Sequence, residues 1–195
     1  MRIPLFFLVS LMVDPAWAAS ELKVGDDRNK WLQEMVSETY SFEEPLSPAV
    51  IISKARGCMV NNLSNESVVA RGSSQFLGGG RKTQDVVGGA NELFAIDDPE
   101  EGIIAANQNI DYRWLLVGQN VKSIVTLQAR DGRFRIKHSG ISSIQKNTGS
   151  TTNNGYRKVS TQRSRGGKPA IKALDGVTDK IAECVLSNDG AKEEW

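Results

Sequence analysis

Between Val121 and Ile141 apolar and polar residues alternate with a period of two on either side of Asp131-Gly132. That period is the signature of strands with one buried face. Asp-Gly between such runs predicts a two-residue hairpin, because a type I′ turn needs positive φ at both central positions. Pairing Arg130 with Arg133 then sets Ala129 opposite Phe134, Leu127 opposite Ile136 and Val125 opposite His138 on an apolar face. Gln128 with Arg135 and Thr126 with Lys137 form the wet face, and a one-residue slip would bury the charges.

A period near 3.6 appears twice. Ser47-Pro48 reads as an N-cap followed by proline in the first turn, and Val50, Ile51, Ala55, Cys58, Met59 and Leu63 recur on one face, predicting a helix over Pro48 to Leu63. Val177, Ile181, Cys184 and Val185 predict a second helix within Ile171 to Ser187, stopped by Asn188-Asp-Gly190, with Gly176 interrupting it or lying at its start. Two further strands are expected at Asn91 to Ile96 and Ile103 to Gln108, joined by the turn Asp97 to Gly102, with Asp111 to Val117 continuing the second or connecting onward. A short strand fits Val68 to Arg71. Residues 31 to 42 stay open: Trp31, Leu32, Met35, Val36, Thr39 and Tyr40 fit a helical stripe, whereas Ser37 to Glu43 is β-prone.

Two stretches lack either period. Residues 72 to 90 include Gly78-Gly-Gly80, and Ser142 to Ala170 holds six Lys or Arg, no acid and little apolar bulk. Such composition predicts a flexible insert and a mobile basic loop or weak hairpin. The organisation expected is an extension over 19–31, one domain over 32–187 and a tail over 188–195.

The N-terminus adds a location. Arg2, an apolar run from Ile3 to Val13 and Ala16-Trp-Ala18 ahead of Ala19 have the order of a secretory signal peptide over residues 1–18. The run is too short for a membrane-spanning helix. The first cysteine is Cys58, so no lipid anchor on the new N-terminus is expected. The mature chain is expected to be periplasmic or secreted. A net charge of +1 gives no global attraction to polyanions, so no nucleic-acid partner is expected.

The order of a strand at Ser37 to Glu43, a helix at Pro48 to Leu63, an acidic turn and strand at Asp98 to Ala105, and Asp131-Gly-Arg-Phe-Arg135 resembles a family of exported bacterial proteins of unknown function with a TATA-binding-protein-like (TBP-like) fold. The resemblance covers roughly residues 32–145. It implies an α+β fold, a curved antiparallel sheet with two helices packed on one face. The family's aromatic late in the first helix is replaced by Cys58-Met59, and the glycine-rich insert before Asn91 is long. The resemblance implies no catalytic residues, and the fold's name does not imply DNA binding.

Cys58 and Cys184 lie on the apolar stripes of two helices expected on one sheet face, so in an oxidising compartment they are candidates for a disulfide; two separate buried thiols are the alternative. They form no C-x-x-C pair, which argues against an oxidoreductase. His138, the chain's single histidine, falls on the inward face and reads as a hydrogen-bonded structural residue. Asp97, Asp98, Glu100 and Glu101 lack calcium-loop spacing, and Gly78-Gly-Gly-Arg-Lys82 is not a phosphate-binding loop. No catalytic, cofactor or metal-ligating residue is nominated, and the chain is not expected to be an enzyme. The function expected is an exported binding module for an envelope protein or small ligand, with peripheral membrane contact through the basic loop as a further role. Its candidate basic face is Arg130, Arg133, Arg135, Lys137, Arg157, Lys158, Arg163 and Arg165. The rival is a small-molecule or lipid carrier with a pocket lined by Met59, Leu127, Phe134 and Ile136. An enzyme would instead bring a carboxylate and a hydroxyl to His138 in a cleft.

Overall fold

Strand periodicity carries most of the architecture. The computed structural model describes residues 21–24, 30–74, 81–87, 92–149, 153–161 and 167–187. The expected leader, Gly78 to Gly80, Arg163, Arg165 and the tail over 188–195 lie outside them. In chain order the elements are β1 (Glu21–Val24), β2 (Leu32–Ser41), α1 (Pro48–Asn62), β3 (Val68–Ser74), β4 (Arg81–Val87), β5 (Phe94–Asp98), β6 (Ile103–Trp114), β7 (Val117–Arg130), β8 (Arg133–Gln145), β9 (Arg157–Lys158) and α2 (Gly167–Leu186). Seven strands form an open antiparallel sheet in the order β1-β2-β8-β7-β6-β5, with β9 pairing β8 beyond the end of β2, while β3 and β4 form a separate hairpin. The chain is therefore α+β.

The β7–β8 hairpin has the register expected, with Arg130 opposite Arg133, Ala129 opposite Phe134 and Val125 opposite His138. Its turn is not type I′, because only Gly132 has positive φ, at 66°. Tertiary contacts fix this shape: Gly132 N donates to Leu46 O at 2.9 Å, and Phe42 N donates to Gly132 O at 2.9 Å.

The ambiguous 31–42 segment is a strand, since Leu32 and Met35 bury into the sheet's core while the chain pairs β8. Asp111 to Trp114 continues β6, closing on β7 through a two-residue turn at Leu115-Leu116. Four boundaries differ from expectation. Glu21–Val24 pairs β2 as an edge strand. The glycine-rich insert contains β4. Ser142 to Gln145 belongs to β8 and pairs Gln119 to Lys122, so the basic loop is shorter at that end. At the other end α2 begins at Gly167, where Ala170 and Leu174 bury against Leu32, Met35 and Val121, and Gly176 lies in mid-helix.

Both helices cover one face of the sheet. In α1 the buried stripe is Ile51, Ile52, Ala55, Cys58 and Met59, with Val50 exposed. This stripe meets Leu127, Phe134 and Ile136 of the sheet and Ile181 and Val185 of α2. Cys58 and Cys184 form a disulfide between the helices, with Cα atoms 5.8 Å apart. On the opposite face, Val68 and Ala70 of β3 and Tyr156 cover Ile144, capping the end of the sheet remote from the β7–β8 turn. The other end of that face is uncovered by any of these elements.

Candidate arginine cleft on the open sheet face

Alternation along β7 and β8 decides where the basic residues go. With Ala129, Phe134 and Ile136 inward, Arg130, Arg133 and Arg135 must emerge on the face away from the helices. There they line a half-open cleft of about 490 Å³ with Thr39 of β2, Gln128 of β7 and Glu101 of the β5–β6 turn. Arg135 Nε donates to Gln128 Oε1 at 2.9 Å, which fixes the plane of its guanidinium. Arg130 and Arg133 make no ion pair among the described residues. Three guanidiniums and one carboxylate leave the cleft with an excess of two positive charges. Guanidinium forks can pair with carboxylate or phosphate bidentately, and that is the chemistry such an arrangement can offer.

The turn that forms one wall depends on glycine. Gly102 adopts φ +67°, and a Cβ there would meet Ala129 O at 2.6 Å and Pro48 Cβ at 3.2 Å. Its carbonyl accepts from Ala129 N at 2.7 Å, tying the turn to β7 beside Arg130.

The other described residues of the predicted basic face are dispersed. Lys137 pairs with Glu34 at 3.0 Å, and Lys23 pairs with the same carboxylate at 3.1 Å. The hydrogen bond from Lys137, and then that from Lys23, hold the Glu34 carboxyl below the usual carboxylate range. Arg157 and Lys158 pair Ser143 and Ser142, about 25 Å of strand from Arg135. Gln128 was placed opposite Arg135 by the hairpin register, but Thr39 and Glu101 were not nominated from sequence: β2 and the β5–β6 turn bring them in from distant positions, and no local pattern encodes that meeting.

His138 is fully buried, at 0% exposure. Gln108 Nε2 lies 3.1 Å and Ser123 Oγ 3.2 Å from its Nδ1, and Thr178 Oγ1 lies 2.8 Å from its Nε2. An amide nitrogen only donates, so Nδ1 accepts and Nε2–H donates to Thr178, the arrangement of a neutral ring. Burial pushes its pKa down to about 4. Two hydroxyls reach His138, but among the described residues no carboxylate does, and a buried ring has no access to substrate. No group of three or more potential metal-binding side chains occurs among the described residues. The carrier pocket is not formed by the residues expected to line it: Met59, Leu127 and Ile136 are fully buried and Phe134 is 1% exposed, leaving no water-sized space against them.

No family model matches the chain, and no curated protein matches it. Two solved structures are similar. A TBP-like protein from Parabacteroides distasonis shares 10% identity over 78% of this chain and 92% of that one, with a TM-score of 0.47. A DUF4468 family protein from Bacteroides ovatus shares 14% identity over 86% of this chain and 93% of that one, with a TM-score of 0.46. The first carries the TBP-like name of the fold that the sequence resembles, and the second is named only by a family of unknown function.

Proposed function

We propose that this chain is an exported binding module whose arginine cleft takes an acidic segment of an envelope protein. The observation that carries the reading is the convergence of Arg130, Arg133 and Arg135 in one half-open cleft, two of them without an ion pair among the described residues. Charge-assisted hydrogen bonds to such forks contribute about 1.5 to 3 kcal/mol each. Export is supported by the order of residues 1–19 and by the cystine, which persists in an oxidising compartment.

The test is an NMR titration of the chain from Ala19 with an oligo-glutamate peptide, following arginine Nε–H signals. Saturable shifts at Arg130, Arg133 and Arg135 are expected, with affinity falling roughly tenfold or more in the double variant Arg130→Gln, Arg133→Gln. Equal affinity in the folded variant, or no saturable shift in the wild type, overturns the reading.

A further inference from the structure

At the opposite end of β7 from the cleft, the chain exposes its apolar residues in an unusual way. Leu115 is 79% and Leu116 99% exposed, the two highest values among the large hydrophobics of the described residues, and they form the two-residue turn between β6 and β7. Leu115 has φ +54°, a backbone region suited to glycine or asparagine. A soluble turn gains nothing from either choice. The rung below is Trp114 opposite Val117, with Trp114 half-buried.

The surroundings of this tip are basic. Arg113 is exposed opposite Gly118, and the Lys146 chain passes beside Gly118. Arg71 N donates to Lys146 O at 2.7 Å, which brings a third cation to the same end, and Lys122 lies further along over the Tyr156 ring at 4.4 Å. Among the described side chains of the rungs nearest the turn the only acid is Asp111, already paired with Lys146 at 2.6 Å.

We infer that the Leu115-Leu116 turn is a membrane wedge that docks this module on an anionic phospholipid surface. Two leucines enter the acyl boundary, Trp114 lies at headgroup level where its amphipathic ring is favoured, and Arg71 and Arg113 meet lipid phosphates. The 14 residues of β7 then separate the wedge from the arginine cleft by about 45 Å, so the cleft stands clear of the bilayer. The inference concerns a different end of the sheet and does not depend on the cleft's binding an acidic partner.

The test is co-sedimentation of the chain from Ala19, which contains every described residue, with vesicles of phosphatidylcholine alone or with about one third phosphatidylglycerol. Binding to the anionic vesicles, weakened by salt, is expected. Leu115→Gly with Leu116→Ser installs a relaxed type II′ turn, so this variant is expected to melt no lower than the wild type yet to lose roughly tenfold or more in vesicle partitioning. Failure of the wild type to sediment with anionic vesicles, or undiminished sedimentation of the variant, overturns the inference. So does a loss of self-association in the variant, measured by light scattering, where the wild type does not bind vesicles.

Discussion

The Nε2 of His138 in β8 lies 2.8 Å from the hydroxyl of Thr178 in α2, so a strand and a helix share a hydrogen bond inside the core. Protonation would place a second N–H at Nδ1, directly against the Gln108 amide nitrogen 3.1 Å away. Burial disfavours the charged ring and lowers its pKa to about 4 from 6.5, so the folded protein holds it neutral.

The sign of the pH dependence follows. Between about 6.5 and 4 the unfolded state binds the proton and the folded state does not, so this contribution is present above pH 6.5 and is lost as pH falls toward 4. One proton over that window amounts to about 3 kcal/mol. Urea denaturation at pH 7 and pH 4.5 should show a larger loss in the wild type than in His138→Gln, which has no ring to titrate. Parallel losses in the two proteins would remove His138 as the cause.

His138 also shows which part of the architecture was legible in the sequence. Its inward placement followed from period-two alternation and an Asp-Gly turn, both local signals. Its partners Gln108, Ser123 and Thr178 come from β6, β7 and α2, and nothing near His138 names them. The start of α2 was hidden for a related reason: Gly167 to Ala170 lies in a polar basic run, and it is tertiary burial of Ala170 and Leu174 that makes the turn helical. The β2 segment was ambiguous because Leu32, Met35, Val36, Thr39 and Tyr40 recur at helical spacing while Ser37 to Glu43 is β-prone, and a register shift between Val36 and Thr39 breaks the strand's own period. The arginine side of the hairpin was legible as a wet face, while its enclosure as a cleft required Thr39 and Glu101 from elsewhere.

The Cys58–Cys184 bond closes a loop with a sequence separation of 126 and ties α1 to α2 over the sheet. The chain-entropy argument gives about 4 to 5 kcal/mol for a loop of that size. The chain from Ala19 prepared under oxidising conditions should have its calculated mass less two hydrogens, and reduction should lower its urea midpoint. Two free thiols in the non-reducing mass would contradict the pairing.

Two glycines should respond in opposite directions to alanine. At Gly102 the backbone is left-handed and a Cβ would press on Ala129 O, so Gly102→Ala is expected to destabilise by about 2 kcal/mol or more. At Gly176 nothing lies within 4 Å of a Cβ and the residue is in mid-helix, so Gly176→Ala is expected to stabilise by about 0.5 to 1 kcal/mol. Thermal melts of the two variants check both signs together, and a stabilised Gly102→Ala would show that the turn need not hold its contact with β7.

Arg130 and Arg133 stand directly opposite each other at the end of the β7–β8 hairpin, although like charges in a cross-strand pair repel. Stability alone favours an oppositely charged or neutral residue at one of these positions. Two facing arginines are what a site built to receive an anion would show, since the ligand then supplies the missing negative charge. Arg133→Gln is therefore expected to raise the stability read from urea denaturation by about a few tenths of a kcal/mol at low salt, and the gain should shrink as salt screens the repulsion. The same substitution should weaken binding of an oligo-glutamate peptide. Wild-type protein saturated with that peptide should gain stability that Arg133→Gln does not, because a ligand stabilises the fold only as far as it prefers the folded site. A fall in midpoint on substitution, with peptide binding intact, would instead make Arg133 a structural residue of the hairpin.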